Sequence, residues 1–123
     1  MECLRASGLL STSCTAIVNT RPIYPRNVSI GELVYPSISE IAPLLHELVK
    51  KLIYRDFIEI AEKAGSSRTL NVVMVGSLAG LELPPIRKET FQKAVAECVP
   101  TETEEMNIRA FELGYEEIKR AMR

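Results

Sequence analysis

The sequence predicts a small α/β domain. Three observations carry that expectation. The run Thr15-Ala16-Ile17-Val18-Asn19-Thr20 is small and β-branched, the character of a buried strand. Several later segments repeat apolar residues at helical spacing, bounded by capping residues, glycine or proline. Between them, Leu52-Ile53-Tyr54-Arg55 runs directly into a helical pattern; if extended, it would form a βα unit with that helix, the building block of open α/β sheets.

The element order follows from local signals. Residues 1–10 are short and weakly amphipathic, and Ser11-Thr12-Ser13 reads as a turn. After the strand, Arg21-Pro22-Ile23-Tyr24-Pro25-Arg26 carries two prolines three apart, which forbids regular pairing and favours an extended loop. Residues 28–30 and 33–35 read as short extended pieces. Ser37 is a good N-cap, and Glu40 three residues on completes the pattern of a capping box. Ile41, Leu44, Leu45, Leu48, Val49 and Leu52 then repeat at helical spacing, with Pro43 early in the helix and Lys50 and Lys51 near the end that favours cations. Periodicity alone leaves Leu52–Arg55 open between a helix extension and a second strand.

Phe57–Ala64 reads as a helix stopped by Gly65. The most apolar stretch, Thr69–Leu81, fits a buried strand or a buried helix by pattern. Its length and its small residues Gly76, Ser77, Ala79 and Gly80 favour a tightly packed helix. Leu83-Pro84-Pro85-Ile86 is a rigid turn. Lys88–Cys98 is an amphipathic helix ended by Val99-Pro100. Thr101 or Thr103 caps a last helix to about Met122, with an apolar stripe expected from Met106, Ala110, Leu113 and Ile118, and Gly114 in its middle.

Composition excludes several classes. A chain of 123 residues suffices for one domain and not two, and 46% apolar with 25% charged residues argues against disorder. Net charge is −1 with no long basic run and few aromatics, so nothing points to nucleic acid. No apolar run reaches the length of a membrane span, and residues 1–5 lack a signal-peptide pattern, so a cytoplasmic protein with no membrane partner is expected. Cys3, Cys14 and Cys98 form no metal-ligand spacing, so no metal or iron–sulfur site is expected on this chain. His46 alone supports no catalytic arrangement, and Asp56 with Glu59 reads as surface charge; no catalytic residue is assigned.

Three residues stand out as candidate cofactor contacts. Arg21 follows a strand, where α/β folds place ligands, and Tyr24 on the same loop can stack on one. Asn71 heads an apolar helix, where it either caps local backbone or meets a partner. Asn107 has the same two readings. Gly76 and Gly80, four apart on one face, fit close helix packing.

Three segments in order carry a resemblance. They are Val18-Asn19-Thr20-Arg21-Pro22-Ile23-Tyr24-Pro25 with Val28-Ser29-Ile30-Gly31; Leu70-Asn71-Val72-Val73-Met74-Val75-Gly76-Ser77-Leu78-Ala79-Gly80 continuing to Leu83-Pro84-Pro85-Ile86; and Val99-Pro100 followed by Asn107–Tyr115. Together, over residues 9–118, they resemble the gamma-type domain of pyruvate and 2-oxoacid:ferredoxin oxidoreductases, in the form found in the small (beta) subunit of indolepyruvate oxidoreductases. Only the C-terminal half of such a domain is matched: Met1 falls near the family's middle, and no glycine-rich phosphate-binding turn is present. The family often has a lysine near position 103, where this chain has Thr103.

The resemblance implies a partial Rossmann-like three-layer domain over residues 1–123, a small sheet with about three or four helices. It implies an accessory subunit or fragment of an enzyme that oxidatively decarboxylates an arylpyruvate such as indolepyruvate, with coenzyme A as acyl acceptor and ferredoxin as electron acceptor. Thiamine diphosphate and iron–sulfur clusters are then expected on a large partner subunit, and no turnover from this chain alone. An uncovered strand edge also leads us to expect a homo-oligomer or a large partner. The alternatives are a non-catalytic, homo-oligomeric interaction module derived from that family, and a small-molecule binder using the Arg21–Tyr24 loop.

Overall fold

The computed structural model describes residues 2–24, 31 and 34–123. The extended pieces expected at residues 28–30 and the start of 33–35 lie outside the described residues; Val34 and Tyr35 belong to no regular element. The chain divides into two compact units, Met1–Arg55 and Asp56–Arg123.

In the first unit, α1 (Glu2–Arg5) and a single 3-10 turn precede β1 (Thr15–Asn19). Helix α2 (Ile38–Leu48) follows, and β2 (Lys51–Arg55) closes the unit. The strands pair in parallel, Ala16 opposite Leu52 and Val18 opposite Tyr54, so β1-α2-β2 is a crossover unit. The ambiguous segment Leu52–Arg55 is therefore a strand and not a helix extension. Five residues are too few for periodicity to decide; the pairing with β1 decides. Helix α2 starts where the sequence placed its cap: the Glu40 carboxylate accepts the Ser37 N–H at 2.8 Å. Pro43 is accommodated within the helix. Ile41, Ala42 and Leu45 are buried on α2 and Ile53 on β2, whereas Leu44, expected on the apolar stripe, is half exposed.

The second unit is helical. Helix α3 (Phe57–Ala64) ends at Gly65, whose φ of 136° suits glycine alone. Asp56 is the N-cap of α3, its carboxylate accepting the Glu59 N–H at 2.9 Å, and so is more than a surface charge. Next come α4 (Leu70–Gly80), α5 (Lys88–Cys98) and α6 (Glu104–Met122). The described helices number six, the five that the sequence places plus α1, against the three or four that the resemblance implies, in a mixed α/β chain that a small partial Rossmann-like domain fits.

The dominant packing is α4 on α6. A β-carbon built at Gly76 would lie 2.0 Å from the Phe111 carbonyl oxygen, and one at Gly114 would lie 2.1 Å from the Val73 carbonyl oxygen. The two backbones touch because neither residue has a side chain. Ser77 sits in the same seam, its hydroxyl donating to the Val73 carbonyl at 2.9 Å and reaching the Gly114 carbonyl at 3.3 Å. Around the seam, Ala79, Val95, Phe111 and Tyr115 form the buried core, flanked by Val72, Val75 and Phe91.

The stripe on α6 differs from the expected one. Its buried residues are Asn107, Ala110, Phe111, Gly114, Tyr115 and Ile118; Met106 and Leu113 are only half buried. The true face contains a polar residue and a glycine, which apolar counting passes over.

Candidate functional site

Strand β1 ends at Asn19, and the chain then turns through Arg21 toward Tyr24. A cavity of about 650 Å³ opens there, between the strand end and the start of α2. Its floor is apolar: Ile17 and Val18 from β1, and Ile38, Ile41 and Leu45 from α2. Its polar lining comes from Glu2, Arg5, Asn19, Thr20, Arg21 and Ser37. Asn19 is held by its own side chain, whose amide donates to the Arg21 carbonyl at 3.2 Å. Tyr24 meets Tyr35 edge to face with ring centroids 5.2 Å apart. Arg5 also lines the cavity, paired with Glu2 at 3.0 Å.

The cavity therefore combines apolar walls, an aromatic pair, the Arg21 side chain and the Glu2–Arg5 ion pair. Its described lining contains no nucleophile–base pair. Cys3 lines it, but burial is the main cause that pushes the Cys3 thiol up, away from the reactive thiolate.

Of the three candidate contacts, Arg21 and Tyr24 both line this cavity. Asn71 does not: it belongs to the second unit, exposed in the first turn of α4. The N-cap position of that helix is Thr69, whose hydroxyl donates back to the Ser66 carbonyl at 2.8 Å. Asn107 is buried and donates to the Thr103 carbonyl at 2.9 Å, a bond within its own helix start. Gly76 and Gly80 are packing residues, as their contacts with α6 show. His46 is exposed on α2 and meets Tyr54 edge to face.

One polar cluster gave no sequence signal. Glu82, in the turn after α4 at φ 51°, accepts a hydrogen bond from the Tyr115 hydroxyl at 2.6 Å and pairs with Lys119 at 2.8 Å. Lys88 lies 4.1 Å from the centroid of the Tyr115 ring and pairs with Glu112 at 2.8 Å; Gln92 donates to the same carboxylate. The paired residues are 20–37 positions apart, so only the fold brings them together.

No group of three or more metal-ligating side chains occurs among the described residues, and no described helix is long and apolar enough to cross a membrane. The cysteines are free: Cys3 and Cys14 are half buried in the first unit and Cys98 is exposed in the second.

A parallel crossover strand pair, with a ligand-sized cavity at the strand end, defines a partial α/β domain of nucleotide-fold type. The chain belongs to the pyruvate ferredoxin/flavodoxin oxidoreductase family, whose sequence model matches residues 3–117. Among its relatives is the indolepyruvate oxidoreductase subunit IorB of Archaeoglobus fulgidus, 36% identical over 114 residues, or 93% of this chain and 57% of the relative. The proteins of the same description from Thermococcus kodakarensis and Methanothermobacter thermautotrophicus are 33% and 31% identical, over 97% and 94% of this chain. The chain spans 57–59% of the length of these relatives. No solved structure matches it.

Proposed function

We propose that this chain is an accessory subunit, or a piece of one, of an indolepyruvate-type 2-oxoacid:ferredoxin oxidoreductase. The observation that carries the reading is the family match over nearly the whole chain, with relatives that all bear the indolepyruvate subunit description. In this reading residues 1–123 are one incomplete gamma-type domain. The reaction is the coenzyme A-dependent oxidative decarboxylation of an arylpyruvate, with ferredoxin taking the electrons.

Thiamine diphosphate supplies the electron sink for decarboxylation. It and the iron–sulfur clusters are carried by a large partner subunit, since this sequence has no glycine-rich phosphate loop and its cysteines are scattered. The chain's own contribution is structural support and ligand contact. Arg21 holds an anionic group at the mouth of the first-unit cavity, and Tyr24, braced by Tyr35, covers the ligand's apolar part. Asn71, exposed at the head of α4, is a contact for the partner subunit.

Affinity recovery of the tagged chain from its own cells, with mass spectrometry of what accompanies it, tests the reading. A large thiamine- and cluster-binding subunit in stoichiometric amount supports it. The chain alone, as a stable oligomer, sinks it and leaves the non-catalytic interaction module.

A further inference from the structure

Helix α4 stops on a residue that does not suit the position. The Leu81 N–H donates to the Leu78 carbonyl at 3.2 Å and the Glu82 N–H to the Ala79 carbonyl at 3.0 Å. The chain then leaves the helix at Glu82 with φ 51°, the only positive φ at a non-glycine among the described residues. That left-handed backbone crowds the β-carbon of an L residue, so helix stops of this kind usually take glycine or asparagine. Gly65 fills the corresponding place after α3. The glycine near the end of α4 is committed elsewhere. A β-carbon at Gly80 would lie 2.8 Å from the Tyr115 carbonyl oxygen and 2.9 Å from the Ile118 β-carbon, so Gly80 serves the packing of α4 on α6.

A strained residue persists where its surroundings over-determine it. Here they do so from α6. The Tyr115 hydroxyl donates to the Glu82 carboxylate at 2.6 Å, and Lys119 pairs with the same carboxylate at 2.8 Å. The far end of the turn returns to the same tyrosine. Lys88, the first residue of α5, lies 4.1 Å from the Tyr115 ring centroid and pairs with Glu112 at 2.8 Å. Tyr115 thus holds Glu82 by its hydroxyl and Lys88 by its ring face. Between these anchors, residues 83–86 have little of their own to fix them. Among the described residues no main-chain hydrogen bond reaches them, and Leu83 and Ile86 are 59% and 48% exposed.

We propose that Tyr115, Glu82 and Lys119 form a clamp that holds the 83–86 turn in one conformation, with Leu83 and Ile86 displayed outward, and that releasing Glu82 frees the turn without opening the α4–α6 seam. Tyr115 and Lys119 are positioning residues in this device and act on the turn through Glu82. The seam is held by other contacts, those of Gly76, Ser77 and Gly114, so the two can come apart.

Nitrogen-15 relaxation on the labelled 123-residue chain tests it, read at the Leu83 and Ile86 amides. In the unaltered chain both should give order parameters of about 0.85, the value of rigid backbone. Tyr115→Phe keeps the ring beneath Lys88 and removes only the hydroxyl; Lys119→Met removes the ion pair. In the double variant both amides should fall below about 0.6. Glu82→Gly should give the same fall, since glycine supplies the backbone angle but not the tether. The Val73 and Ser77 amides in the seam should stay at about 0.85 in every variant. Three outcomes overturn the proposal. The turn is already mobile in the unaltered chain; it stays rigid in the double variant or in Glu82→Gly; or Val73 and Ser77 loosen together with it, which would make the cluster ordinary support for the fold.

Discussion

Gly76 of α4 and Phe111 of α6 meet backbone to backbone, with 2.0 Å between the position of a β-carbon on Gly76 and the Phe111 carbonyl oxygen. The atom in the way is main chain and cannot swing aside, so any side chain at Gly76 must push the helices apart. Gly76→Ala is expected to cost about 2–3 kcal/mol, since overpacking outweighs the gain of roughly 1 kcal/mol in helix propensity. Gly114→Ala meets the Val73 carbonyl at 2.1 Å and should cost a similar amount. The double variant should cost less than the two together, because the first alanine already separates the helices. Urea unfolding of the four proteins measures this; full additivity would contradict a shared seam.

Ser77 lies in the same seam but its role is different. Its hydroxyl bonds to carbonyls of Val73 and Gly114 and leaves no donor orphaned when removed. Ser77→Ala should therefore cost only about 1 kcal/mol. Ser77→Leu, at a site with no exposed surface, should cost more than Gly76→Ala or prevent folding. Equal effects of alanine and leucine in thermal unfolding would show that the seam is loose.

The Glu82 cluster links stability to pH at both ends of the range. Lys119 first, then the Tyr115 hydroxyl, hold the Glu82 carboxyl below its ordinary value of 4.5. A carboxylate depressed in the fold adds stability above its unfolded pKa, and that contribution is lost as pH falls through the lower folded value. Tyr115 moves the other way: the hydrogen bond to Glu82, then burial, push it up from 10.0 to about 12. Its contribution is complete below pH 10 and is lost as pH rises from there toward 12. Absorbance titration at the tyrosinate band should show a step near 12 that disappears in Tyr115→Phe. Lys119→Met should raise the Glu82 carboxyl in a carbon-detected NMR titration; an unchanged value would place the lysine outside the pair.

The cavity makes a separable prediction within the proposed complex. Arg21→Gln should weaken binding of the anionic ligand by about tenfold or more, the ordinary worth of a charged hydrogen bond. The KM values for coenzyme A and for the oxoacid show which ligand it is. Asn71→Ala should leave both KM values unchanged and weaken subunit association instead. A KM effect at Asn71 with none at Arg21 would move the ligand site to the second unit.

Much of the fold was legible because its signals are local. The Ser37–Glu40 box, the Gly65 stop and the ends of Lys88–Cys98 each lie within a few residues of what they control. The β2 strand was not decidable, since Ile53 becomes a strand residue only opposite Ile17, 36 positions earlier in the chain. On α6 the expected Ala110 and Ile118 are buried, but the rest of the face is hidden from the sequence for a related reason. Gly114 is buried because Val73 approaches it, and Asn107 because its amide closes its own helix start; neither fact is visible in hydropathy. At the candidate site, Arg21 and Tyr24 could be paired from the sequence because they share a loop. Tyr35, Arg5 and the α2 floor could not be added to them without the crossover that brings them there.

Membership in a working oxidoreductase complex is read from the activity of the material recovered with the tagged chain. The measurement is coenzyme A-dependent reduction of ferredoxin or a viologen dye, with indolepyruvate as the reductant. The expected result is reduction that requires the oxoacid and is lost when this chain is removed from the complex. Activity that persists at full rate without the chain, or a chain recovered with no such activity, would contradict it.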